Sequence, residues 1–256
     1  MRALAAFRTA AGFPGAPVAA RVTKRVPPGA GLGGGSSDAA AVLLTLNALL
    51  AEFWSRRRGG GGGRGGDGGR VPGRVSSSGV SRPLDRRALL ALGASLGSDV
   101  PFFLDGAGRL LAGGRGELLA PYAGSVPGSA LLLFNPGFPL PTARVFGFSS
   151  FPVLTTGPGS SNSLFAEFAG GPRGLRPEFG RNDLEPAALG LAPSLGRVRE
   201  TLSRLAPAPL CLGLSGSGPT YWALFGDWSG AAGALASTAD LAWPSSRWWA
   251  AACRLL

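Results

Sequence analysis

Apolar residues recur at helical spacing over residues 2–12, which predicts a short amphipathic helix terminated by Pro14 and Pro17. Residues 18–26 alternate imperfectly and predict a strand. After a glycine-rich stretch, Val42, Leu46, Leu49 and Phe53 fall at intervals of three and four, the spacing of a helix over residues 37–54 with that face buried. Ser81 stands as an N-cap and Pro83 in the first turn ahead of LDRRALLALGASLG, a helix closed by glycine. Residues 130–134 read as a buried strand with a turn at 135–137, and residues 193–205 as a helix. LCLGLSGSGPTYWALFG reads as a strand, a glycine turn over 213–218 and a returning strand. A helix over 230–239 and the strand-like WWAAACRLL end the pattern. Helices and strands alternate without the regular rhythm of a doubly wound parallel sheet. The predicted class is therefore α+β, in two domains spanning residues 1–127 and 128–256.

The pattern vanishes over residues 56–81, where glycine and arginine leave almost no core-forming residue. Chain of this composition cannot bury enough apolar surface to offset its ordering entropy, so it reads as a solvated low-complexity insertion. Its Arg-Gly content also resembles RNA-binding segments, a reading kept second because one short tract is a compositional signal only.

At 256 residues the chain has room for one large domain or two ordinary ones. Its net charge of +11 raises the question of nucleic acid. The positive charge is nearly all arginine and accompanies abundant glycine, alanine and proline, which reads as bias along the whole chain rather than a basic patch. No interleaving of basic and aromatic residues is visible, so no nucleic-acid partner is expected. No membrane partner is expected either, since no run reads as long and apolar enough to span a bilayer. The acid-free first residues are read as an internal helix rather than a targeting peptide. Cys211 and Cys253 lack metal-ligand spacing and suit a reducing, cytoplasmic compartment. The sequence contains no histidine, which excludes histidine triads, histidine-ligated zinc and a histidine general base.

Chemistry concentrates first in PPGAGLGGGSSD, residues 27–38. Glycines here let the backbone adopt positive φ and bring its N–H groups against an anion, and Ser36 and Ser37 add hydroxyl donors or a metal ligand. The helix that follows would turn its positive end toward whatever the loop holds, and the favoured ligand is a polyphosphate. Neither GxxxxGK[ST] nor GxGxxG with a following acid is present, and Lys24, upstream of the loop, is the chain's one lysine. Asp99 lies on a short turn beside proline and two phenylalanines, a setting in which apolar neighbours raise a carboxylate's basicity. Ser215 and Ser217 in SGSG have no evident base, so a second anion-contacting turn is the expected role. Asn182, Asp183 and Glu185 in RNDLEP are read as metal ligands or helix caps, with capping preferred.

KRVPPGAGLGGGSSDAA, LGSDVPFFL, NDLEPAA and GLSGSGPTYWALF, in that order, resemble the small-molecule kinases of the GHMP superfamily. GRGELLAP at 114–121 and NPGFPLPTARVF at 135–146 narrow the resemblance to the branch that acts on a cytidine diphosphate-linked methylerythritol. It covers the chain apart from the insertion and a stretch around 150–178. The resemblance implies a two-domain GHMP kinase fold, with an incomplete ribosomal-protein-S5-domain-2-like N-terminal domain and a ferredoxin-like C-terminal domain. It implies ATP and Mg2+ as cofactors, the triphosphate wrapped by Pro27, Pro28, Gly29, Ala30, Gly31, Leu32, Gly33, Gly34, Gly35, Ser36 and Ser37, with Ser36 toward the metal. Asp99 matches the family's catalytic aspartate, which takes the proton of the substrate hydroxyl. Thr142, Gly216, Ser217 and Gly218 fall on the substrate side, and the acceptor is the 2-hydroxyl of the methylerythritol, in isoprenoid precursor synthesis. Family members also carry an initial Lys-Ile-Asn strand and an Asp-Gly-Tyr-His segment, and neither is in this sequence. The expectation is an N-terminally truncated kinase that binds ATP with impaired turnover. A noncatalytic nucleotide-binding relative, a sister kinase for another small alcohol, and a homodimeric assembly stay open.

Overall fold

The computed structural model describes residues 2–12, 17–59, 82–106, 110–113, 116, 118–121, 130–148, 180–243 and 245–255. The chain divides into two compact units, residues 1–23 with 35–122, and residues 24–34 with 123–256. Helices and antiparallel sheet are mixed, an α+β architecture.

In the first unit, α1 (Arg2–Ala11) and α2 (Gly34–Gly59) precede α3 (Arg86–Leu96), the short α4 (Val100–Asp105) and a two-stranded hairpin, β1 (Leu110–Gly113) with β2 (Leu118–Pro121). Ala40, Leu43, Leu46 and Leu50 of α2 share one apolar cluster with Ala3, Phe7 and Ala11 of α1, Leu89 of α3 and Val100 of α4. This corrects half of the expected buried face: Leu46 is buried and Val42 packs against the cluster, whereas Leu49 and Phe53 are 51% and 42% exposed. α2 is apolar on nearly every side, so spacing alone could not tell which side α1 and α3 would cover. Over Gly34–Arg56 it is long and apolar enough, by length and composition, to cross a membrane, which also corrects the sequence reading, although one side packs in the core of the unit.

Residues 18–26 form no strand; they run without regular structure and mostly exposed, because no described segment pairs with them. The predicted helix over 37–54 begins three residues earlier and continues through 56–59, the start of the supposed insertion; residues 60–81 lie outside the described residues. α3 begins at Arg86 and Asp85 caps it, its carboxylate accepting from the Ala88 N–H at 2.8 Å; Ser81, the expected cap, lies outside the described residues. Asn47 of α2 fixes the entry to that helix by a reciprocal pair of bonds to the Leu84 backbone, 3.0 and 2.8 Å.

The second unit runs β3 (Ala130–Asn135), α5 (Thr142–Phe148), α6 (Glu185–Leu191), α7 (Ser194–Ser203), β4 (Cys211–Leu214), β5 (Tyr221–Phe225), α8 (Trp228–Thr238) and β6 (Trp249–Arg254). Its sheet is wholly antiparallel in the order β4-β5-β3-β6. The register sets Leu132 opposite Ala223 and Phe134 opposite Tyr221, so alternate residues of both strands point to one face. That face packs with Val145, Ala188, Leu195, Val198, Leu202, Ala231 and Ala234 of the four helices. Burial of this face is the unit's main stabilising term.

Candidate functional site

Residues 24–34 belong to the second unit, and the local geometry explains why. Gly29, Gly31 and Gly33 take φ of +68°, +74° and +65°, conformations costly for any residue with a Cβ. Positive φ at every second residue curls the backbone into a concave row of N–H groups, which suits an anion. Gly31 lies directly on the turn that follows β4. A Cβ at Gly31 would collide with the carbonyl oxygen of Ser215 and come within 2.8 Å of that of Gly218. The Ser215 hydroxyl donates to the Gly31 carbonyl at 2.9 Å. At the far end of the loop the first turn of α2 begins, and a Cβ at Gly34 or Gly35 would meet nothing within 4 Å. The helix therefore opens with space around its first two residues, at the terminus whose dipole favours an anion. Ser36 and Ser37 are half-buried in that turn.

The turn over residues 215–218 is built by long-range bonds. The Ser215 N–H donates to the Thr220 carbonyl at 2.8 Å and the Gly218 N–H to the Ser215 carbonyl at 2.9 Å. Gly216 and Gly218 have φ of +55° and +80°. Asn182 donates from Nδ2 to the carbonyls of Leu214 and Gly216, at 2.9 and 2.7 Å. Buried Asn135, at the end of β3, donates to the Thr220 hydroxyl at 2.9 Å. The Thr142 and Ser217 hydroxyls are 2.9 Å apart, so two expected substrate-side residues meet, although 75 positions separate them in sequence. Asn135, read from the sequence only as the start of a turn, escaped notice as a site residue. A polar residue closing an otherwise apolar strand just before a turn, as in LLLFNPG, was the available signal.

Contrary to expectation, the RNDLEP segment does not cap the helix that follows: the cap position of α6 is Leu184, which makes no side-chain cap bond, and Asn182 Oδ1 instead accepts the Leu184 N–H at 2.9 Å in a turn just before the helix. Asp183 pairs with Arg181 at 3.0 Å, and Glu185 pairs with Arg199 at 3.1 Å while accepting the Tyr221 hydroxyl at 2.8 Å. Burial, and then the Glu185 carboxylate, push the Tyr221 phenol far above its usual range. Among the described residues no cluster of three or more His, Cys, Asp or Glu forms a metal site.

In the first unit, Asp99 stands at the start of α4 with no cap bond from its side chain. Val100 and Pro101 turn inward and are buried, whereas Asp99 is exposed; the expected apolar enclosure of its carboxylate is not found. Gly116, with φ of +117°, allows the hairpin loop to approach the Ser98 carbonyl, where a Cβ would sit 3.2 Å away.

Residues 1–58 match the GHMP kinases N terminal domain. A 4-diphosphocytidyl-2-C-methyl-D-erythritol kinase of Rhodospirillum rubrum is 34% identical over 198 residues, 74% of this chain and 60% of that protein. One from Mycolicibacterium gilvum is 43% identical over 145 residues, 53% of this chain and 42% of that protein. The chain thus spans 60% or less of the length of these two relatives. A crystal structure of 4-(cytidine 5'-diphospho)-2C-methyl-D-erythritol kinase, 32% identical, matches with a TM-score of 0.63 over 99% of this chain and 76% of that one. Homoserine kinase from Cytophaga hutchinsonii, 15% identical with a TM-score of 0.56, covers 91% of this chain and 69% of its own and shares the fold.

Proposed function

This chain belongs to the GHMP kinase family, and from that premise we propose that it serves the ATP-dependent phosphorylation of the 2-hydroxyl of 4-diphosphocytidyl-2-C-methyl-D-erythritol, in isoprenoid precursor synthesis. The observation that carries the reading is the loop of alternating positive-φ glycines, seated on the 215–218 turn and opening into a helix start with free space at Gly34 and Gly35. Phosphoryl transfer asks chiefly for positioning and charge stabilisation, which backbone N–H groups and a helix terminus supply.

In this reading residues 27–37 hold the triphosphate. Thr142, Gly216, Ser217 and Gly218 lie toward the acceptor, and Asp99 receives the acceptor's hydroxyl proton. Residues 1–127 and 128–256 are the family's two domains. The donor set fits Mg2+, which binds through one or two protein oxygens together with substrate phosphates rather than in an all-protein cage. Ser36 offers such an oxygen, and the ion would neutralise charge developing on the transferred group.

The test is transfer of labelled γ-phosphate from ATP to 4-diphosphocytidyl-2-C-methyl-D-erythritol, with homoserine as competing acceptor, alongside ATP binding. Binding with transfer to the cytidylyl substrate supports the reading. Transfer to homoserine alone moves the chain to a sister activity, and absence of ATP binding overturns the reading.

A further inference from the structure

We propose that Asn182 is a positioning residue of the phosphate site: it fixes the peptide planes of the 215–218 turn so that the Ser217 N–H is presented to the bound phosphoryl group. The proposal rests on the kinase reading and deepens it, assigning a task to a residue whose visible local bond is only the turn contact to the Leu184 N–H.

Every hydrogen-bonding position of the Asn182 amide on view has a partner of the right sense. Both Nδ2 bonds run to carbonyls, of Leu214 at 2.9 Å and Gly216 at 2.7 Å, while Oδ1 accepts the Leu184 N–H at 2.9 Å. Turning the amide over would set its oxygen against two carbonyls and its NH2 against an N–H, so one orientation is chosen. In a trans peptide the C=O and the next N–H point in opposite directions. Holding the Leu214 carbonyl therefore turns the Ser215 N–H away, toward the Thr220 carbonyl that it meets at 2.8 Å. Holding the Gly216 carbonyl turns the Ser217 N–H away from Asn182 in the same manner. Among the described residues, the Gly218 N–H is engaged by the Ser215 carbonyl, and no hydrogen bond uses the N–H of Ser217.

The clamp is itself held rigidly. Three residues beyond Asn182, Glu185 is tied to Tyr221 of β5 and Arg199 of α7, which anchors the segment to sheet and helix. Gly216 sits at φ +55°, a conformation glycine leaves easily when nothing restrains it. Ser217 is 6% exposed and its hydroxyl is engaged with that of Thr142, so the direction of its N–H is set by the turn and not by solvent.

Two measurements test the assignment. In Asn182→Asp a carboxylate replaces the donor pair and faces two carbonyl oxygens. The variant should melt cooperatively yet bind ATP with Mg2+ about tenfold more weakly than the parent at pH 7.5, the order expected for carbonyls that lose their donors. At pH 4, where about half of ordinary Asp carboxyls carry a proton and each such group donates one of the two bonds, the ratio to the parent at the same pH should move back toward one. The neighbouring charges, Arg181 with Asp183 and Glu185 with Arg199, are paired with each other and unchanged in the variant. The second measurement needs no variant: the Ser217 amide resonance of the parent should shift and gain protection from exchange when ATP is added. A folded Asn182→Asp that binds like the parent at both pH values, or a Ser217 amide indifferent to bound ATP, overturns the role of Asn182 and leaves the kinase reading standing. A parent chain that binds no ATP overturns the kinase reading, and the assignment with it.

Discussion

The loop over residues 27–33 and the turn over residues 215–218 are both glycine-rich and both carry positive φ, yet they are held in different ways. The turn is gripped by side chains from three distant places: Asn182 on its carbonyls, Asn135 on Thr220, and Thr142 on the Ser217 hydroxyl. The loop instead lies on the turn, through the Ser215 hydroxyl and the bare Cα of Gly31. One glycine segment is a template, and the other takes its shape from it. Their glycines also differ in kind. At Gly31 a side chain is excluded by neighbouring protein, whereas at Gly34 and Gly35 nothing but open space excludes one.

Gly31→Ala is the harshest way to break this relation, because it combines strain at φ +74° with a collision against the turn. It should destabilise the chain by about 1–3 kcal/mol or more, read by chemical denaturation. Asp99→Asn, in the other unit, is the control that separates chemistry from binding. ATP affinity should stay within about twofold while turnover, wherever measurable, falls by about 10²-fold.

Tyr221→Phe tests the anchor behind Asn182 and should lower stability by about 1 kcal/mol near neutral pH. It also has a pH signature. The folded state raises the Tyr221 pKa above the ordinary value of 10, so the stability tied to the neutral phenol is complete below pH 10. That stability is lost above pH 10, at up to about 1.4 kcal/mol per pH unit. The variant should show a correspondingly shallower alkaline decline.

Ser215→Ala removes the bond to Gly31 and should cost about 1 kcal/mol or less, loosening the loop without disturbing the turn. Gly35→Ala is the mildest. In the helix start it should raise the melting temperature slightly, by the helix propensity gained, about 0.5–1 kcal/mol. It should also weaken ATP binding by filling the space reserved for phosphate. A Gly35→Ala chain that gains stability and keeps its ATP affinity would place the phosphate elsewhere.

Local signals carried much of this architecture. The loop, the strand over 130–134 and the glycine turn between two apolar strands were legible because each rests on short-range pattern: glycines, alternation, a strand–turn–strand rhythm. What the sequence could not supply was pairing. The 18–26 strand failed because alternation does not create a partner, and the buried face of α2 was half misjudged because an all-round apolar helix takes its inner side from its neighbours. The cap of α3 falls on Asp85, four residues after the expected position. Asn182 was read as a cap and makes instead a turn bond two residues long, and it was illegible as a clamp, since its other two partners lie 32 and 34 residues away.

The central claim, that the loop seated on the 215–218 turn is a phosphate cradle, is met most directly by calorimetric titration of ATP with Mg2+ into the parent chain and into Gly31→Ala. The account predicts saturable one-site binding to the parent and a loss of about 100-fold or more in affinity in the variant, the combined effect of misplaced N–H donors and a disrupted loop. No binding to the parent, or equal binding to both chains, would contradict it.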